Sequence, residues 1–219
     1  MQMRAEDAQH FLKTLSTTDV SDALDRLGID GQCLGIAPLD RSFRLVGQAW
    51  TLRYAPAGVD AGTVGDYIDD LAAPQVVVID NSGRTDVTVW GDLLTSTASR
   101  NGVAGTVIDG VCRDVDRSLE LTYPIYSRGN FMRTGKDRVR VDSIGEPVTI
   151  GGVRVSPGDW LLGDGDGVVA IPAIRTEAVL EAAVGIRDAE AHIRRAVEHG
   201  ATLRDARAEF GYHRLQTPR

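Results

Sequence analysis

Residues 75–109 read QVVVIDNSGRTDVTVWGDLLTSTASRNGVAGTVID. Short apolar runs stand at both ends, Gln75–Asp80 and Gly105–Asp109. Each has the pattern of a strand buried on both faces. Between them, Trp90–Asn101 has helical character and Gly102 closes it. Strand, helix and strand in that order make a parallel βαβ unit, whose crossover should be right-handed. A second short helix is predicted over Arg113–Leu121, stopped before Pro124.

On the N-terminal side, LVGQAWTLRYAP (45–56) is an aromatic and β-branched strand ended by Pro56. Before it, Ser16, Thr17 and Thr18 offer capping oxygens to a helix in which Val20, Ala23, Leu24 and Leu27 recur at helical spacing and Gly28 stops the run. After Pro124 the texture changes to short strands: PIYSRG, RVRVDSI, EPVTIGGVRVSPGD and WLLGDGDGVVAIP. VTI-GG-VRV is a two-residue hairpin signal. An amphipathic helix runs from about Thr176 to His199 and ends at Gly200. No repeat, low-complexity tract or linker interrupts the chain, so residues 1–200 are expected to form one domain. Residues 201–219 form a polar tail, partly disordered or packed on a neighbouring subunit. The class is α/β with a β-rich second half, distinct from a doubly wound nucleotide-binding sheet.

The 219 residues include 24 Lys+Arg and 31 Asp+Glu, a net charge of -7, with 42% apolar and 25% charged residues. That acidic balance argues against a general nucleic-acid binder. A chain of this length buries roughly 70% of its unfolded surface and needs no disulfide or metal to fold. Cys33 and Cys112 lie far apart and form no C-x-x-C pair, so a reduced, cytoplasmic setting is expected. The N-terminus is too polar for a signal peptide, and no apolar run reaches the roughly 18 residues of a membrane span.

Two loops follow the buried runs, where ligand sites gather in such sheets. Asp80–Asp86 leads into Val-Trp-Gly91-Asp92-Leu93-Leu94. Gly91-Asp92 at a helix start exposes unpaired N–H groups able to hold a carboxylate or phosphate. Alternatively, Asp92 only caps the helix and offsets its dipole. In the second loop, Asp109-Gly-Val-Cys-Arg113-Asp114, an arginine fork suits a planar carboxylate or keto-acid oxygens. The aspartate beside it suits a hard cation such as Mg²⁺, which keeps several waters. The alternative is a structural Arg–Asp pair.

The four histidines show no metal-ligand spacing; His192 and His199 read as a solvated helix face. Asp164-Gly-Asp166-Gly167 reads as a turn, since the later ligands of a calcium loop are missing. P-loop, dinucleotide and serine-hydrolase motifs are absent. Glu190 shares an apolar stripe with Ile186, Ile193 and Val197. Such a carboxylate must meet an arginine or reach a cation's shell across a subunit boundary.

Gly91-Asp92-Leu93-Leu94, twenty residues after Asp92, then Arg113-Asp114 resembles the D-x20-R-D signature of the RraA-like family. GVAGTVIDGVCRD and VSPGDWLLGDGDGVVAIP also resemble family blocks, and the likeness runs from about Leu15 to Gly200. The family includes class II pyruvate aldolases acting on 4-hydroxy-4-methyl-2-oxoglutarate and 4-carboxy-4-hydroxy-2-oxoadipate. The resemblance implies an α/β/β sandwich around a small central β-barrel, of swivelling-domain type. It also implies a homotrimer or a dimer of trimers with sites between subunits. On that likeness Gly91, Asp92, Leu93 and Leu94 hold the substrate carboxylate by their backbone, and Arg113 binds its keto and carboxylate oxygens. Asp114 holds the divalent metal directly (Mg²⁺ expected, Mn²⁺ or Co²⁺ as alternatives), with Asp92 and Glu190 in the outer shell. The implied reaction releases pyruvate from a 4-hydroxy-2-oxo acid, or decarboxylates oxaloacetate, through a pyruvate enolate. It needs no lysine Schiff base, in keeping with only two lysines, Lys13 and Lys136, both outside these loops.

The same family offers a rival, a non-catalytic protein that regulates a ribonuclease. Asp92 stands where regulator-type members can carry glycine, which favours the enzyme. A menaquinone methyltransferase reading lacks a glycine-rich methyl-donor motif. A phosphohistidine swivelling domain lacks a histidine in the core region.

Overall fold

The computed structural model describes residues 3–59, 64–71 and 73–217. Along the chain run α1 (Ala5–Leu12), α2 (Thr17–Arg26), β1 (Ala37–Pro38), β2 (Leu45–Pro56), β3 (Val76–Thr88), α3 (Asp92–Arg100) and β4 (Gly105–Val111). There follow α4 (Val115–Glu120), β5 (Ile125–Ser127), β6 (Val139–Ile144), β7 (Val148–Ile150) and β8 (Val153–Val155). Last come β9 (Trp160–Asp164), β10 (Gly167–Ile171), α5 (Thr176–Glu198) and α6 (Leu203–Glu209). The described residues fall into two compact units, one drawn from both ends of the sequence, up to Gly31 and from Ile174 onward, the other Gln32–Ala173.

In the central unit the apolar runs at 75–80 and 105–109 are strands covered on both faces. Val77 and Ile79 of β3 and Ile108 of β4 pack with Tyr67, Ala98 and Tyr123. Val76, Val78 and Val107 turn the other way, into a cluster with Tyr126, Leu161 and Ala170. Side chains alternate along a strand, so an all-apolar run is what two cores require. β2, β3, β4 and β5 are parallel neighbours, with α3 and α4 as crossovers.

The main sheet has the order β1-β5-β4-β3-β2-β9-β10, with β6 also on β2. Gln32 bridges Val169, and the Cys33 N–H donates to the Val168 carbonyl at 3.0 Å. These contacts bring the residues before β1 onto β10, so the sheet nearly closes into a barrel. The β7–β8 hairpin turns on Gly151 and Gly152, both at positive φ as its two-residue turn demands.

Element boundaries differ from expectation at β3, α3 and α4, and β4 runs two residues beyond Asp109, to Val111. β3 does not stop at Asp80 but runs to Thr88, pairing Asp80 with Asp109, Arg84 with Gly110 and Thr88 with Val111. The intervening residues loop out of the ladder, Ser82 and Gly83 taking positive φ. α3 starts at Asp92 rather than Trp90. α4 starts at Val115, because Asp114 takes the left-handed conformation at its N-cap (φ 56°).

In the terminal unit, α2 opens with a capping box: Asp19 N–H donates to Ser16 Oγ and Ser16 N–H to the Asp19 carboxylate. Such a cap contributes about 1 kcal/mol. α1 and α2 pack against α5, which buries Val179, Leu180, Ala183, Ile186 and Ile193. Beyond Gly200, α6 packs on α5, and His192 stacks on Phe210 with centroids 5.4 Å apart. Among the described residues no helix is long and apolar enough to cross a membrane.

Candidate active site

Thr88 ends β3 directly opposite Val111 at the end of β4. Its hydroxyl lies 3.1 Å from the Val111 carbonyl and 2.9 Å from that of Trp90, and it accepts from Trp90 N–H at 3.3 Å. The Arg113 N–H then donates to the Trp90 carbonyl at 2.9 Å. One buried threonine thus ties together the two strand ends that lead to Gly91-Asp92 and Arg113-Asp114. The Trp90 indole donates to Thr95 Oγ1 at 2.9 Å, and that hydroxyl reaches the Gly91 carbonyl at 3.0 Å.

The two loops therefore meet. Asp92 N–H donates to Asp114 Oδ2 at 3.3 Å, and Arg113 Nε lies 3.2 Å from the same oxygen. A Cβ at position 91 would sit 2.8 Å from Asp114 Oδ2 and 3.3 Å from Arg113 Nε, so a larger residue there would displace these two side chains. The side chains of Arg113 and Asp114 are 40% and 41% exposed. Their mutual attraction is worth at most about 1 kcal/mol at such exposure and does not explain why they are paired. Asp114 also holds a left-handed backbone that a non-glycine residue adopts at a cost, a feature concentrated at functional sites.

The opening of α3 is not side-chain capped: its N-cap is Gly91, and Asp92 is the first helical residue with an exposed carboxylate. Asp92 therefore does not occupy the N-cap, but as the acidic residue of the first turn it still offsets the helix dipole. The backbone N–H groups of Leu93 and Leu94 have no acceptor among the described residues, the ordinary condition of a helix start. They and Gly91, Asp92 and Arg113 line a cavity of about 340 Å³. A positive helix end beside an arginine favours an anion.

The chain belongs to the RraA-like family. Its profile, described as Aldolase/RraA, matches residues 17–170. DlpA of Legionella pneumophila is 40% identical over 200 residues, covering 90% of this chain but only 32% of its own length, so the chain spans about a third of that relative. A protein of Halalkalibacterium halodurans, provisionally named a 4-hydroxy-4-methyl-2-oxoglutarate aldolase, is 36% identical over 78% of this chain and 79% of its own. Among solved structures, an uncharacterised protein of Pseudomonas syringae pv. tomato superposes with a TM-score of 0.87 at 40% identity, covering 94% of this chain and 100% of the other. RraAS2 of Streptomyces coelicolor, described as an unusual member of the RNase ES inhibitor RraA family, gives a TM-score of 0.81 at 28% identity over 88% and 98%.

The other acidic residues and the two thiols singled out in the sequence have partners or surroundings of their own. Asp80 and Asp109 are buried and committed to structure. Asp80 accepts from Ser82 N–H (2.8 Å) and Thr149 N–H (3.1 Å) and faces Arg53 at 3.6 Å. Asp109 accepts from Gly151 N–H at 3.0 Å and pairs with Arg128. Together they fasten the β7–β8 hairpin to the strand ends. Asp86 pairs with Arg84 at 3.0 Å, and that hydrogen bond holds its carboxyl below the usual range. Glu190 belongs to the terminal unit, where Arg194 lies 3.3 Å away one helical turn on; its within-chain partner is the arginine that the stripe demanded. Asp164 accepts from Asp166 N–H in a tight turn, as a Gly/Asp turn does. Burial pushes the Cys33 thiol up to about 12 and the Cys112 thiol up to about 11, which disfavours the thiolate at neutral pH.

The cavity also has a wall that the motifs did not announce, formed by Thr134, Gly135 and Lys136, with Val64 and Asp66. These residues carry no recognisable signature, and only the fold brings them to the strand ends.

Among the described residues no group of three His, Cys, Asp or Glu side chains could cage a metal. Asp114 nevertheless offers a hard oxygen donor that is open to solvent, and its Oδ1 has no hydrogen-bond partner among the described residues. A single carboxylate beside a ligand-sized cavity fits a Mg²⁺-type cation that keeps most of its waters and takes further oxygens from substrate. It does not fit a zinc or calcium cage.

Proposed function

We propose that this chain is a pyruvate-releasing carbon–carbon lyase that cleaves 4-hydroxy-2-oxo acids and also decarboxylates oxaloacetate. The observation that carries this reading is the meeting of Gly91-Asp92 with Arg113-Asp114: the unpaired amides and the Arg113 guanidinium share one cavity wall, and Asp114 lies against them on the other side of Arg113, in an adjoining hollow. The provisional aldolase name of the Halalkalibacterium halodurans relative supports it.

The amides of Leu93 and Leu94 hold the substrate carboxylate. Arg113 donates to the 2-oxo oxygen, a charge-assisted hydrogen bond of about 1.5–3 kcal/mol that strengthens as negative charge gathers there. The C3–C4 bond breaks, its electron pair forming the C2–C3 double bond of pyruvate enolate. The 4-hydroxyl proton leaves towards Asp92, directly or through a water, and the departing fragment becomes a carbonyl compound. Protonation of C3 then gives pyruvate. From oxaloacetate the same enolate forms as CO₂ leaves. Asp114, with Asp92 beside it, would hold a divalent cation, which when bound supplies Lewis-acid charge stabilisation at the 2-oxo oxygen.

Assembly as a trimer or hexamer belongs to the same proposal, a neighbouring copy supplying Glu190. Leu93 and Met132, 77% and 74% exposed beside Asp92 and Arg133, supply apolar surface for such a contact. The similarity to RraAS2 favours a second reading, a protein-binding regulator of ribonuclease activity.

The test is pyruvate release from a panel of 4-hydroxy-2-oxo acids and oxaloacetate, with Mg²⁺ and with EDTA. Release that EDTA abolishes supports the lyase. No release from any compound, together with inhibition of a ribonuclease, establishes the regulator instead.

A further inference from the structure

We infer that Thr88 is a positioning residue, whose hydroxyl fixes the spacing between the amides that open α3 and the Arg113 guanidinium so that both grip one 2-oxo acid. The inference rests on the pyruvate-releasing reading above.

A 2-oxo acid carries its carboxylate and its oxo oxygen on adjacent carbons. The groups that hold them must keep a fixed separation, and an error of about 1 Å can cost about a hundredfold in rate. Here the two holders come from different strands, since α3 follows β3 and Arg113 follows β4. Continuous strand pairing cannot set their spacing. The β3–β4 ladder shifts register between Asp80 and Arg84, and again between Arg84 and Thr88.

The tie at that frayed end is one side chain, 3% exposed. Thr88 Oγ1 lies 2.9 Å from the Trp90 carbonyl and 3.1 Å from the Val111 carbonyl. It has a single proton for these two acceptors. Each acceptor also has a donor of its own: Arg113 N–H reaches the Trp90 carbonyl at 2.9 Å, and Val89 N–H reaches the Val111 carbonyl at 3.4 Å. Neither carbonyl therefore needs the hydroxyl to be satisfied, and what the hydroxyl adds is the link between the strand ends.

Trp90 passes that link to the anion site. It directly precedes Gly91, and its ring lies parallel to that of Tyr123, planes 2° apart and centroids 6.3 Å apart. The Tyr123 hydroxyl pairs with Thr106 of β4 at 2.9 Å, so the side chain of Trp90 is referenced to β4 as its backbone is. The backbone of Thr88 serves a further length of the lining: its N–H donates to the Arg133 carbonyl at 2.9 Å, next to Thr134, Gly135 and Lys136.

The experiment uses two substitutions that pull packing and spacing apart. Thr88→Val keeps the branched shape and loses the hydroxyl, whereas Thr88→Ser keeps the hydroxyl and loses a buried methyl. Both should lower the melting midpoint by a few degrees. Only Thr88→Val should lower kcat/KM for oxaloacetate, by about tenfold or more and chiefly through kcat; Thr88→Ser should stay within about threefold of wild type. Calorimetry with Mg²⁺ present gives a readout without turnover, because pyruvate engages both holders and propionate only the amides. Thr88→Val should weaken pyruvate about tenfold and propionate less than about twofold, and Thr88→Ser should keep the wild-type ratio. Amide exchange reads the tie itself: in Thr88→Val it should rise at Trp90 and Arg113 and not at Val107 or Ile108.

Unchanged kinetics in Thr88→Val overturns the inference, as does activity that follows the melting midpoint across both variants, equal weakening of the two acids, or exchange that rises uniformly along β4. If the wild type releases no pyruvate while the pyruvate-over-propionate preference and its loss in Thr88→Val persist, the reaction fails and the positioning role stands. A wild type that prefers neither acid sinks both.

Discussion

Asp109 and Asp114 stand five residues apart, each beside an arginine, at the end of the same strand. Asp109 is buried, its side chain 7% exposed, with one oxygen on Arg128 and the other on the Gly151 amide. Asp114 is 41% exposed, with Oδ2 shared by Arg113 and Asp92 N–H and Oδ1 open. In the first pair every lone pair that burial would orphan is satisfied within the chain, and the product is a fastened hairpin. In the second, polar capacity is left over at a cavity, and leftover capacity is what a ligand can use. The residue types alone do not separate these roles; saturation does.

Removing the carboxylates one at a time should separate them further. Asp109→Ala leaves Arg128 half-stranded and should lower unfolding free energy by about 3–5 kcal/mol in urea titration. Asp114→Ala should cost no more than about 1 kcal/mol of stability, while abolishing pyruvate release and any calorimetric Mg²⁺ signal. Equal stability losses would erase the distinction. Arg113→Lys keeps the charge but loses the fork, and should reduce kcat/KM about a hundredfold, or about 2.7 kcal/mol in the barrier. Near-normal kinetics would return Arg113 to a structural role. Gly91→Ala forces a methyl against Asp114 and Arg113 and should lower turnover about tenfold; a crystal structure with the loop unmoved and wild-type rates would refute the close-approach argument.

The smallest effect concerns the thiols. Cys33 and Cys112 are raised by burial to about 12 and about 11 from an ordinary 9.0. Their contribution to stability is complete below pH 9 and is lost as pH rises towards those folded values, about 1 kcal/mol per thiol by pH 10. A Cys33→Ala, Cys112→Ala variant should show a flatter decline in denaturation midpoint between pH 8 and 10. An unchanged slope would mean the thiols already titrate in the native state.

What could be read from the sequence followed from burial. β3 and β4 announce themselves because two cores demand unbroken apolar runs, α3 by its helical character and the closing Gly102, and the Gly151-Gly152 turn because its backbone demands glycine. The extension of β3 to Thr88 was hidden because residues 81–86 carry no apolar side chain and leave the ladder between its pairing points. The joining of Gly91-Asp92 with Arg113-Asp114 into one site was implied by the RraA-like resemblance; spacing alone left open a capping Asp92 and a structural Arg–Asp pair. Lys136 was not, since it sits in a stretch without periodicity and lines the cavity only because the fold brings residues 133–136 against the end of β3. Nor does any composition shift mark Gly31 or Ile174, where the helices from the two ends take over.

β2 has a consequence for how the barrel comes into being. Residues 45–48 of this strand pair with β9, 49–53 with β3 and 52–56 with β6. A ribosome that has just released β2 and β3 has made one of these three seams; the β9 seam waits for about 75 further residues, from Thr88 to Asp164. At about 5–20 residues per second that is several seconds with a bare, apolar strand edge. Such an edge is a template for unwanted pairing, which makes β2 the place where slow translation or a chaperone would alter the yield of this protein.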